Sequence, residues 1–174
     1  MSVFSLKLDI SDNRYFNGKH SPLFSREEAH KALKFHEKIT GYHPTPLYDM
    51  KDLAALFGVR NILVKDESQR FDLNAFKILG GSYAIAHLLC EKYNIKSTLT
   101  KKIRFATTPD GNHGRGVAWA ARALGQKAVV YMPKGSAQER VNHITGLGAE
   151  CIVTDMNYDD TVRLTMENAK KHGW

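Results

Sequence analysis

From residue 103 onward, short apolar runs alternate with stretches of helical periodicity, and that alternation leaves few folds open. Ile103 to Thr107, Ala128 to Met132 and Cys151 to Thr154 read as strands, while Gly114 to Leu124, Ala137 to Leu147 and Tyr158 to Lys171 read as helices. A further helix, from about Ala75 to Lys92, precedes the first strand. Strands that are apolar throughout are covered on both faces, so the order predicts an α/β fold, a parallel sheet with crossover helices in three layers, α/β/α. The punctuation agrees. Gly125 follows one helix, Ser136 and Glu139 have capping-box spacing before the next, and Gly146 and Gly148 close that one.

Upstream the pattern is looser. Ser25 and Glu28 form a second capping box ahead of a helix carrying Ala29, Leu33 and Ile39, which ends near Gly41. Pro44 and Pro46 break the chain, Asp49 to Phe57 then read as a short helix ended by Gly58, and Asn61 to Lys65 as a strand. The expected division is residues 1–60 as an N-terminal arm with helices and 61–174 as the α/β domain.

A chain of 174 residues, 43% hydrophobic and 25% charged, has the composition of an ordinary globular protein and the length to bury a core. No stretch reads as a membrane span or signal peptide, so a cytoplasmic location with no membrane partner is expected. The net charge of +7 raises the question of nucleic acid. Its basic residues are scattered, however, with small clusters only at Lys101, Lys102 and Arg104 and at Lys170 and Lys171, so a solvated surface is the expectation. Cys90 and Cys151 have no metal or redox spacing and are expected to be buried thiols.

Two segments carry chemistry. In Phe71-Asp72-Leu73-Asn74-Ala75-Phe76-Lys77-Ile78-Leu79-Gly80-Gly81, a lone lysine falls in the opening turn of an apolar helix. The helix dipole and partial burial there favour a reactive amine over an inert ammonium, which suits Schiff-base chemistry at Lys77, and Asn74 is expected to cap the helix. The second segment, Thr107-Thr108-Pro109-Asp110-Gly111-Asn112-His113-Gly114-Arg115-Gly116, lies where a strand end meets a helix start, the place where open α/β sheets put ligands. Gly111, Gly114 and Gly116 allow backbone to approach a flat ligand, and N–H groups at the helix start suit an anion. Their spacing fits neither the dinucleotide fingerprint nor a P-loop. Asp66 and Glu67 read as structural carboxylates, and Tyr15, Phe16 and Tyr42 as candidates for an interface or entrance.

Together with Pro44-Thr45-Pro46-Leu47, Val64-Lys65-Asp66-Glu67-Ser68 and Tyr131-Met132-Pro133-Lys134-Gly135, these segments resemble the fold-type II enzymes that use pyridoxal 5'-phosphate (PLP), and among them the diaminopropionate ammonia-lyases. The resemblance implies that Lys77 joins the cofactor aldehyde, that Asn112 hydrogen-bonds the cofactor's ring hydroxyl, and that Asp110, Gly111, Asn112, His113 and Gly114 form the substrate loop. Asp110 departs from the small hydroxyl residue usual in serine and threonine dehydratases and looks like the ammonia-lyases. A carboxylate suits a substrate with a second amine and can exchange protons with Cα or the leaving amine. The implied reaction is α,β-elimination of 2,3-diaminopropionate, a small amino acid, to pyruvate and ammonia.

The resemblance covers about the N-terminal half of such an enzyme. The family's phosphate-binding loop and the residue facing the pyridine nitrogen belong to the later half, and no glycine-rich tetrad follows Trp119. The expectation is therefore a truncated part with little activity alone and apolar surface favouring a homo-oligomer, a dimer in the complete enzyme. Open alternatives are a serine or threonine dehydratase, a non-catalytic interaction domain and a basic nucleic-acid-binding domain.

Overall fold

The structure is a computed structural model that describes residues 11–19, 21–93, 102–108 and 111–174. The expectations placed on Lys101 and Asp110 lie outside the described residues. The chain divides into two compact units, Met1–Asp66 and Glu67–Trp174.

In the first unit, the Ser25 hydroxyl accepts the Glu28 N–H at 3.2 Å and starts helix α1, Arg26–His36. This is one half of the expected capping box; the Glu28 carboxylate turns instead to Lys31 at 2.7 Å. That contact, with Glu27 beside it, raises the Lys31 amine well above its ordinary value. His36 is buried and stacks on Tyr42 with ring centroids 6.1 Å apart. Leu47–Asp49 forms strand β1, followed by helix α2, Lys51–Phe57, and strand β2, Leu63–Lys65, which pairs antiparallel with β1 as Leu47↔Lys65 and Tyr48↔Val64. The helix expected from Asp49 thus starts at Lys51, because strand pairing claims Asp49. Gly58 ends α2 at φ 64°, a left-handed cap that glycine adopts without a Cβ clash.

The second unit holds a parallel sheet in the order β3 (Arg104–Thr107), β4 (Lys127–Met132), β5 (Glu150–Val153). Ala106 lies opposite Val129, and Val130 opposite Cys151. Helices α4 (Asn112–Ala123) and α5 (Gln138–Gly146) connect the strands, and α6 (Tyr158–His172) follows. The period-two alternation of β4 assigns its two faces. Ala128, Val130 and Met132 join a core with Val117, Ala118 and Ala121 of α4 and Ile144 of α5. Val129 and Tyr131, also buried, point the other way, and the Tyr131 hydroxyl accepts from Asn168 of α6 at 3.2 Å. The three layers are therefore α4 and α5, the sheet, and α6. Each fully buried aliphatic side chain in this arrangement stabilises the fold by about 1.5–3 kcal/mol.

Helix α3, Lys77–Tyr93, packs on α4. A Cβ at Gly116 would sit 3.1 Å from the Lys77 carbonyl oxygen and 3.2 Å from Ile78 Cα. Gly116 therefore serves the contact between two helices, where the sequence suggested close approach to a ligand.

The cap of α5 differs from expectation, while α6 starts at Tyr158 as expected. Ser136 does not cap α5: its hydroxyl donates to the Pro133 carbonyl at 2.8 Å, closing the turn after β4, and the N-cap position falls to Ala137. At α6, Asn157 accepts the Asp160 N–H at 2.9 Å. Acidic Asp159 and Asp160 in the first turn and basic Lys170, Lys171 and His172 in the last both oppose the dipole's end charges favourably.

The cysteines are not the buried thiols expected. Cys90 is exposed near the end of α3, and Cys151 is half-buried on β5, which has a neighbour on one side only among the described strands. Among the basic residues, Lys102 donates to the Gly125 carbonyl at 2.6 Å, while Arg104 pairs with Glu150 at 2.8 Å and lies over the Trp174 ring. Among the described residues no helix is long and apolar enough to cross a membrane.

Candidate active site

An open cavity of about 750 Å³ lies in the second unit at the carboxyl end of β3, where a crevice is expected in an open parallel sheet. Four elements line it. Lys77 comes from the start of α3, Thr107 and Thr108 from the end of β3, Asn112 and His113 from the start of α4, and Tyr158, Thr165 and Met166 from α6.

Lys77 is the first residue of α3, with its ammonium nitrogen 5.3 Å from the centroid of the Phe76 ring. The partial burial expected from the apolar neighbours is not there, because Lys77 is exposed toward the cavity. Asn74 does not cap the helix. It stands at φ 55°, three residues before the first helical residue, in a segment that has just made the 3-10 turn Arg70–Asp72. Arg70 of that turn is buried and meets Glu67 with two nitrogens, Nε at 2.8 Å and Nη2 at 3.1 Å. Glu67 thus acts as a structural carboxylate, as expected, and the Asp66 N–H donates to the Pro46 carbonyl within the first unit at 3.0 Å.

The helix α4 begins two residues earlier than the Gly114 expected from sequence, so Asn112 and His113 occupy its first turn rather than a loop. Gly111 at φ 82° and ψ −126° makes the entry, a conformation essentially reserved for glycine. Without a side chain it leaves the first-turn N–H groups of α4 with no side-chain cap, which is the setting in which helix starts take anions. Gly114 is buried. Tyr15 and Phe16 are exposed in the first unit, and the described residues that line the cavity belong to the second.

The structure thus brings Lys77, Asn112 and His113 to one cavity, with Gly111 and Gly114 beside them in the chain. Sequence reasoning missed the α6 wall. There the Thr108 hydroxyl donates to the Thr165 hydroxyl, which in turn donates to the Thr161 carbonyl at 2.8 Å. Thr161 shares a 2.8 Å hydrogen bond with Thr154. Spacing of threonines at i and i+4 on a helix is common, and nothing in it marks a site wall.

An amine, a carboxamide and hydroxyls around an open cavity, beside a helix start whose cap residue has no side chain, make a donor set suited to a small ligand with an anionic group and a carbonyl that an amine can capture. Comparison with known proteins bears on which. The family model described as pyridoxal-phosphate dependent enzyme matches residues 39–174. Diaminopropionate ammonia-lyase of Escherichia coli strain K12 is 67% identical over 100% of this chain and 46% of its own length. The protein of that name from Salmonella typhimurium strain LT2 is 47% identical over 92% of this chain and 43% of its own length. A crystal structure of the Escherichia coli enzyme in complex with an aminoacrylate-PLP azomethine reaction intermediate superposes with a TM-score of 0.89 at 70% identity, covering 99% of this chain and 46% of that one. The chain spans about half the length of the curated relatives it matches.

Proposed function

Because this chain belongs to the family of pyridoxal-phosphate dependent enzymes, we propose that it carries the cofactor-attaching and substrate-facing part of a diaminopropionate ammonia-lyase, which eliminates ammonia from 2,3-diaminopropionate and yields pyruvate. The observation that carries this reading is the convergence of Lys77 and Asn112, from segments far apart in sequence, on one cavity at the end of β3. When bound, PLP supplies an aldehyde that captures amines and a ring that takes up negative charge from the substrate Cα.

The chain's residues have separate tasks. The Lys77 amine holds the aldehyde carbon, and once the substrate amine has taken its place it is free to remove the proton from Cα. The Asn112 carboxamide donates to the ring hydroxyl. The first-turn N–H groups of α4, uncapped at Gly111, face the substrate carboxylate, with His113 and Gly114 shaping that loop. An amine is a poor leaving group unless protonated, so a donor is required at the β-nitrogen, and the Asp110 carboxyl is assigned to it. The dehydratase alternative needs no negative group for a second amine, and the high identity to two ammonia-lyases weighs against it. The same reading carries with it a cytoplasmic, homo-oligomeric enzyme, for which the exposed apolar Leu47, Tyr48, Leu63 and Val64 offer contact surface.

The test is to incubate the chain with PLP, reduce with borohydride and map the phosphopyridoxyl group by mass spectrometry. Label is expected to concentrate on Lys77, to vanish from that peptide in Lys77→Ala, and to be suppressed more strongly by 2,3-diaminopropionate than by serine or threonine. Label spread over surface lysines, indifferent to any amino acid, would sink the reading.

A further inference from the structure

Among the described residues, three that are not glycine stand in the left-handed region, and all of them immediately precede Lys77: Phe71 at φ 49°, Asp72 at φ 58° and Asn74 at φ 55°. Asparagine and aspartate tolerate this region; a bulky aromatic residue there is a genuine outlier and persists only if its surroundings hold it. Trp119 of α4 holds Phe71. Their ring centroids are 4.9 Å apart with the planes inclined at 41°. One turn earlier on the same face of α4, Gly116 lies against the backbone of Lys77 and Ile78. About two turns earlier, the same helix begins with Asn112. A single helix thus fixes the lead-in, the backbone of Lys77 and the second residue of the site.

The alternative conformation is specific. Leu73-Asn74-Ala75-Phe76 contains no proline or glycine, and its apolar spacing invites a helix that starts before Lys77, as the sequence predicts from Ala75. Were the left-handed residues to relax into that helix, Lys77 would move out of the first turn, and its side chain would leave from a different height and direction. Room for such a rearrangement exists: a cavity of about 370 Å³ beside the segment is lined by Phe71, Leu73, Trp119, Arg122 and Leu147.

We propose that Trp119 is a positioning residue for Lys77: by clamping Phe71 it keeps the left-handed lead-in from joining α3 and so sets where the amine emerges relative to Asn112. The inference rests on Lys77 being the residue that holds PLP. Its test compares the unaltered chain with Trp119→Ala, Trp119→Phe and, as a control for general destabilisation, Ile144→Val in the core on α5. Each is labelled with PLP and borohydride, and the share of label on Lys77 relative to all other lysines is measured beside Tm and the amide exchange of Leu73 and Leu79, whose N–H groups bond the carbonyls of Arg70 and Phe76.

Trp119→Ala is expected to lower the Lys77 share about tenfold, as small displacements of reacting groups do, and to alter exchange at Leu73 and Leu79. Trp119→Phe, which keeps a ring against Phe71, is expected to restore most of both. Ile144→Val is expected to lower Tm while leaving the Lys77 share intact. An unchanged share in Trp119→Ala, or an equal loss in Ile144→Val, overturns the positioning role while the cofactor reading stands. Absence of any preference for Lys77 in the unaltered chain overturns both.

Discussion

At the residue scale the cavity depends on hydroxyls as much as on its lysine. Thr165 accepts from Thr108, the last described residue before the segment leading to Gly111, and is itself buried. Thr165→Val keeps the shape and deletes the acceptor, stranding a part-buried hydroxyl, so urea denaturation is expected to show a loss of about 1–3 kcal/mol. Thr165→Ser is expected to recover part of it. The thiols allow a second check. Burial raises the Cys151 thiol above its ordinary 9.0, so the folded chain keeps a proton that the unfolded chain releases. That contribution is complete below pH 9.0 and is lost as pH climbs through the raised value. Iodoacetamide at neutral pH is therefore expected to modify exposed Cys90 first and Cys151 mainly after unfolding. That Lys77, Asn112 and His113 line one cavity was partly legible from pattern, a cation in an apolar helix and polar residues among glycines at a strand end, whereas the roles given to them came from the family resemblance. The burial of the thiols was not legible, since it depends on which face of α3 and which edge of the sheet each occupies.

At the scale of elements, the strands and helices of the second unit follow from period and punctuation, and the relatives share this fold-type II architecture. The errors fell at ends, where one hydrogen bond decides. Ser136 has the right spacing for a cap but its hydroxyl closes the preceding turn, while Asn157 caps α6 by accepting the Asp160 N–H and donating to the Asp160 carboxylate. Asn157→Ala is expected to cost about 1 kcal/mol, measured by thermal unfolding. Two glycines give opposite expectations on the contact of α3 with α4. Gly116→Ala drives a methyl group against helix backbone at 3.1 and 3.2 Å, which cannot yield as a side chain can, so a loss of about 1–3 kcal/mol is expected. Gly80, in the interior of α3, has nothing within 4 Å of the added Cβ, so Gly80→Ala is expected to gain about 0.5–1 kcal/mol from backbone entropy. If both substitutions moved Tm in the same direction, the packing assigned to Gly116 would be wrong.

At the scale of the whole molecule, the two units differ in what holds them. The second has a central strand, β4, with Val129, Val130 and Met132 fully buried and apolar cover on both faces. In the first, Ala54 is the only buried apolar residue among the described ones, and every residue of β1 and β2 is exposed. Local opening follows apolar burial, because a hydrogen bond whose strand shields no core is broken at little further expense. Two strands without a third, or a helix covering them, are marginal in water for the same reason. Native-state hydrogen exchange is therefore expected to give the slowest amides in 129–132, at rates set by global unfolding of the second unit, and fast exchange in 47–49 and 63–65. Brief proteolysis is expected to cut first in the first unit and to leave a resistant piece starting near Glu67. Equal protection of β1 and β4 would show that the first unit draws its stability from contacts other than its own core.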